Sequence, residues 1–311
     1  MNFKGVFSLF IFLTAAVLVN AQNTYEFLRI DMSPRAASLG GSFVSNNDDP
    51  DVIFYNPAGM HLLEENPISF SFVKHLLDIN LASLSYSTTF NDWGRFGIGV
   101  KYINYGTFTE ADEVGNRTGE YGAGEAALVI GYSNILDENF YYGANVKVIY
   151  SSIADASSSA LAADLGLHYL IPSQEMSIGF AVLNAGTQLS QYINTKEELP
   201  LDVVIGVSKK LEHLPLRLSL DFHKLNEDRE SFGERFKAFS VGAEFTLSKV
   251  LKLRLGYDNE KRSDLKIGAF AGLAGFNLGF GAKIAAYNFN YGFSSMGAIG
   301  TLHRIGLTTV L

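Results

Sequence analysis

From residue 67 onward, apolar and polar side chains alternate in runs of about ten residues. Tyr287, Phe289, Tyr291 and Phe293 share one face, with Asn288, Asn290, Gly292 and Ser294 on the other. Leu216, Leu218, Leu220 and Phe222 alternate with Arg217, Ser219, Asp221 and His223; Leu251, Leu253, Leu255 and Tyr257 with Lys252, Arg254, Gly256 and Asp258; Phe96, Ile98, Val100 and Tyr102 with Arg95, Gly97, Gly99 and Lys101. Neighbouring side chains of a strand point to opposite faces, so each run pairs an apolar face with a charged or glycine-rich one. The pattern predicts strands at 67–75, 79–90, 94–104, 123–133, 139–151, 159–170, 175–185, 199–210, 214–225, 235–247, 250–258, 274–284, 286–294 and 302–311. Most exceed the five or six residues usual in globular sheets and suit a tilted membrane strand. After a short first hairpin at Leu76–Asp78, longer connections at 105–122, 152–158, 186–198, 226–234, 259–273 and 295–301 interleave with tight turns such as Asn91-Asp92-Trp93, Pro172-Ser173 and Ser248-Lys249. Short periplasmic turns and longer external loops characterise outer-membrane barrels, whose strand number is even. Leu265–Leu273 therefore reads as loop, and the expected fold is an all-β, 14-stranded transmembrane outer-membrane β-barrel spanning 67–311.

The residues before the barrel follow other rules. Met1–Ala21 carries one lysine, an apolar run from Val6 to Val19 and a Val19-Asn20-Ala21 cleavage pattern, which predicts a signal peptide at 1–21. Segment 22–66 lacks sustained alternation and is rich in small and turn-forming residues. Ala36, Ala37 and Ser38 permit close packing, Gly40 and Gly41 permit left-handed backbone angles, and Asn56-Pro57-Ala58 starts a turn. Fourteen strands enclose a lumen too wide for wall side chains alone to fill, so 22–66 is expected to fold inward as a plug, with Arg35 among its charged members.

Composition narrows the function. The net charge is −8, from 24 Lys+Arg against 32 Asp+Glu, which argues against nucleic acid. Removing 1–21 deletes Lys4 and takes the charge to −9. With no cysteine there is no disulfide framework, thiolate nucleophile or cysteine-ligated cluster. Charged residues make up 18 %, below the quarter typical of soluble domains. Arg95, Lys101, Glu125, Lys147, Asp164, Arg217, Asp221, Glu244, Lys252, Arg254 and Lys283 are expected to face the lumen, where they either line a selective pore or, as the default, pair with one another and with Arg35, Asp48, Asp49 or Asp51. The loop 106–122 carries Glu110, Asp112, Glu113 and Glu120 against Arg117 alone, and is a candidate docking surface for a partner. Catalytic, cofactor and metal signals are missing: the six histidines form no H-x-x-x-H pair, Gly122–Ala126 precedes a strand instead of opening a helix, and no G-x-S-x-G elbow occurs.

The spacing of Arg35-Ala36-Ala37, Gly40-Gly41 and Tyr55-Asn56-Pro57-Ala58 resembles the N-terminal motifs of the PorV/PorQ group of FadL-like outer-membrane proteins. Thr24–Leu28, Lys101–Gly106, Leu211–Arg217 and Gly272–Phe276 resemble the PorQ branch of that group. The resemblance implies a non-enzymatic barrel of the type IX secretion attachment complex, without a cofactor. Such a barrel anchors the surface protein PorZ and works beside PorU and PorV, which process cargo and fix it to surface lipopolysaccharide. The alternative is a transporter of hydrophobic compounds, as FadL-like folds often are. A third reading, an open sugar porin, is weakened by the plug.

Overall fold

The computed structural model describes residues 24–193, 195–229, 231–266 and 272–311; the predicted signal peptide lies outside them, as does part of 265–273. Fourteen antiparallel strands close into one barrel. They are β1 Pro67–Lys74, β2 Asn80–Phe90, β3 Gly94–Ala111, β4 Arg117–Asp137, β5 Phe140–Ile153, β6 Ala156–Ile171, β7 Met176–Ser190, β8 Asp202–Lys210, β9 Leu216–Phe222, β10 Phe239–Thr246, β11 Leu251–Asp258, β12 Phe276–Ile284, β13 Tyr287–Ser295 and β14 Thr301–Val310. Each strand pairs with its neighbours in sequence, and β1 closes the ring against β14 from Pro67↔Val310 to Lys74↔His303. No described helix is long and apolar enough to cross a membrane. In this architecture the strands do the crossing.

The alternation expected from sequence is the alternation of the wall. Phe70, Leu84, Ile98, Leu128, Val148, Leu165, Leu255, Phe280, Phe289 and Ile305 are exposed on the outside, a belt suited to lipid. Ser69, Ser85, Arg95, Lys147, Asp164, Asp221 and Arg254, one residue out of phase, are buried on the inside.

The main departure is the candidate docking loop. Residues 105–122 extend β3 and β4 as a hairpin, with a tight tip at 112–116. Asp112 forms that tip by accepting the backbone N–H groups of Val114 at 3.0 Å and Asn116 at 2.7 Å. Glu110 lies in β3, Asp112 and Glu113 in the tip, and Arg117 and Glu120 in β4. Both faces of this extension are exposed, so no face demands apolar residues and the period-two signal vanishes. Phe108 stacks on Tyr121 across the strands at 5.4 Å between ring centres, holding the register. The predicted loop at 152–158 likewise shrinks to 154–155, while β7 runs on to Ser190. Helix Asn259–Asp264 occupies the start of the predicted loop 259–273 and is capped by Asp258, which accepts the Lys261 N–H at 3.0 Å.

Candidate functional site

Residues 24–66 lie within the barrel, against the inward faces of strands all round the ring. The short helix Pro34–Ser38 stops at Gly40 and Gly41, whose φ angles of 72° and 86° are left-handed, and Gly41 donates back to the Ala36 carbonyl at 2.9 Å. Wall glycines let the backbone come this close. A Cβ on Gly256 would stand 2.5 Å from the Ser38 carbonyl oxygen, and one on Gly143 would stand 2.5 Å from the Ala58 nitrogen. Asn56 ties the segment to the wall, donating to the Val44 carbonyl at 2.9 Å and the Leu167 carbonyl at 3.0 Å while accepting the Ala58 N–H at 3.1 Å. Pro57 then begins the next turn, Pro57–Leu62.

Two kinds of contact hold the segment. Near the long-connection end, Tyr25, Phe27, Leu28 and Met32 pack against Val73, Leu81, Ile103, Ile149 and Ala160 of the wall. Near the opposite end the contact is ionic. Glu244 accepts from Arg35 Nε at 2.9 Å, Arg35 Nη2 at 3.0 Å, Arg254 Nε at 2.7 Å and Lys252 Nζ at 3.1 Å. Arg35 also meets Asp48 at 2.9 Å and Asp49 at 3.4 Å, and Arg217 meets Asp48 at 3.1 Å. Burial alone would raise the Asp48 carboxyl, but Arg35 and Arg217 hold it well below the usual carboxylate range. Asp49 goes the other way: burial and the neighbouring Asp51 push it up to about 7.

Five of the other inward charges are matched individually. Lys147 and Asp164 pair at 2.8 Å. Asp221 accepts the backbone N–H groups of Phe43 at 2.6 Å and Val44 at 2.8 Å. Lys101 donates to the carbonyls of Leu28 at 2.8 Å and Ile30 at 3.2 Å. Arg95 donates to the carbonyls of Met60, Leu63 and Glu65. The structure thus gathers Arg35, Arg217, Lys252 and Arg254 into one cluster, sets Lys101, Lys147, Asp164, Asp221 and Arg95 at separate contacts, and leaves the hairpin residues remote from all of them. Sequence reasoning missed two members. Arg304, buried in β14, donates to the Asp31 carbonyl at 2.8 Å, and the Asp31 carboxylate lies 3.5 Å from Lys261. Arg304 was readable, since it shares a strand face with Gly306 and Thr308; Asp31 carries no such signal. Among the described residues no group of three or more His, Asp or Glu side chains is placed to hold a metal ion.

A closed wall of fourteen strands around an inward-packed N-terminal segment is a specific architecture. The fold is FadL-like. Over 90 % of this chain and 98 % of theirs, it is similar to the TodX monoaromatic hydrocarbon channel deltaS2 mutant, with a TM-score of 0.60 and 14 % identity. It is similar to the CymD monoaromatic hydrocarbon channel over 93 % and 99 %, with a TM-score of 0.59 and 12 % identity. A Pseudomonas aeruginosa FadL homologue matches over 95 % and 99 %, with a TM-score of 0.56 and 10 % identity. No family model matches the sequence, and no curated protein matches it. At these identities the likeness is one of fold.

Proposed function

We propose that this barrel is a non-enzymatic anchor of the type IX secretion attachment complex, holding PorZ at the cell surface beside PorU and PorV. The observation that carries the reading is the occupied lumen. A segment pinned by Glu244, Asp221, Lys101 and Arg95 suits a rigid scaffold better than a passage, because moving it would strand buried charges. The tall β3–β4 hairpin, with Glu110, Asp112, Glu113 and Glu120 against Arg117, then supplies an acidic surface above the membrane for a partner. Deleting the gene tests the reading: PorZ should leave the surface and cargo should stay unprocessed. Normal PorZ retention and cargo maturation in the deletion strain would sink it.

One observation favours transport of hydrophobic compounds instead. An apolar groove of about 420 Å³ runs along the outer, lipid-facing side of the wall at β10–β13, lined by Val241, Leu255, Tyr257, Phe276, Leu278 and Phe293. A hydrocarbon chain fits such a groove. Uptake of a fatty acid or alkane by liposomes carrying the purified protein separates the two readings, since a pure anchor gives none.

A further inference from the structure

The lumenal segment separates two cavities of opposite electrical character. The one toward the long connections, about 260 Å³, has seven carboxylates in its lining, among them Asp31, Asp202, Asp221 and Asp258, against five cations, Arg29 and four lysines. Its ammonium groups are engaged: Lys147 with Asp164, Lys224 with Glu260, Lys261 with Asp31 and Asp258, and Lys101 with backbone carbonyls. The cavity at the short-turn end, about 300 Å³, has Arg35, Lys249, Lys252, Arg254 and Lys283 in its lining against Asp48 and Asp49.

Charge in this second cavity does not balance. Asp48, Asp49 and Glu244 already serve Arg35, Arg217, Lys252 and Arg254, with Glu244 alone engaging three of them. Lys249 and Lys283 add two more positive charges, and neither has a carboxylate within 4.0 Å among the described residues. Both line this one cavity, and the Lys283 N–H donates to the carbonyl of Val250, the residue after Lys249, at 2.8 Å. Asn288, Asn290 and Thr308 add polar groups from β13 and β14, and Asn290 holds the Arg254 guanidinium at 2.8 Å. We propose that this cavity binds a phosphate group entering from the short-turn side. Several oxygens on one tetrahedral centre match the cations, amides and hydroxyl converging from four strands, and charge-assisted bonds of this kind are the strong ones. The volume lies at the bottom of the range for ligand pockets, so it takes a single phosphate or a phosphodiester headgroup and not a large solute. The acidic cavity beyond the segment repels the same group, which keeps it at the short-turn end.

The test uses the full chain in neutral detergent. Calorimetry with inorganic phosphate should show binding that weakens as salt is raised. Lys249→Gln combined with Lys283→Gln, both exposed and outside the ion-pair cluster, should weaken it about tenfold or more while the folded band on an unheated gel is kept, and the Lys→Arg pair should restore it. Nanodiscs with phosphatidylglycerol or phosphatidylcholine, followed by native mass spectrometry, separate the sources. Retention of phosphatidylglycerol that is lost in the double Gln variant assigns the site to a lipid headgroup, and calorimetric binding alone assigns it to a free phosphate. Absence of both, or equal binding by wild type and the double Gln variant, overturns the proposal.

Discussion

Strands β3–β7 have 14 to 21 residues, whereas β8–β14 have 7 to 10. A tilted membrane strand needs about 9–11 residues. The short half is therefore all membrane wall, while the tall half carries sheet that the bilayer does not demand. The two halves also grip the lumenal segment differently. Ile103, Ile149 and Ala160 of the tall half give it an apolar seat, where Lys101 and Arg95 donate only to its backbone carbonyls, and Glu244, Arg254 and Asp221 of the short half give it a seat built on carboxylates. An apolar seat degrades in proportion to the area lost, whereas a charged seat fails when a shared partner such as Glu244 goes.

The largest expected effect is in the charged seat. Glu244→Gln leaves Arg35, Arg254 and Lys252 without their shared carboxylate and should cost about 3–5 kcal/mol, read as a lower urea midpoint for loss of the folded gel band. Phe27→Ala should cost about 3 kcal/mol, the lower end for a buried Phe. A greater loss for Phe27→Ala than for Glu244→Gln would reverse the contrast between the halves. Gly143→Val forces a side chain against the Ala58 backbone and should cost about 1–3 kcal/mol. Asp49→Asn sharpens the charged seat through pH. The folded protein holds a proton on Asp49 up to about pH 7, against about 3.9 for an ordinary Asp, so that stabilisation is complete below about pH 4 and lost as pH rises through 7. The Asn variant should thus be more stable than wild type at pH 8 and equal to it at pH 4. Phe108→Ala is expected to cost below about 1 kcal/mol, leaving the urea midpoint in place while protease cuts the hairpin faster.

The membrane wall was readable because lipid outside and polar lumen inside impose a strict period of two, and every strand placed by that period exists, with ends within four residues of the predicted ones except where β3, β4 and β7 run on beyond the wall. The β3–β4 extension was unreadable for the same reason. Thr107–Ala111 and Arg117–Gly122 have water on both sides, so nothing in their order separates strand from loop. Which inward residues are charged could also be read, since Arg254 and Gly256 share a face with Lys252. Their partners could not be: Arg35 and Glu244 are 209 residues apart, and no local rule spans that distance.

The segment inside the barrel also constrains the order of assembly. Thr24 bonds to Glu198 at one end of the lumen, and Asn66 bonds to Leu311 at the other, immediately before β1 begins. Every seam but one joins strands consecutive in the chain; the exception, β1 to β14, brings together its most distant parts and bears the largest loop-closure cost. The segment precedes one lip of that seam. If the seam zips before residues 24–66 have moved inside, they are shut out, and their matching charges in the wall stay unpaired. The order in which the ring shuts therefore decides whether the chain becomes a barrel with its segment seated or a kinetically trapped shell.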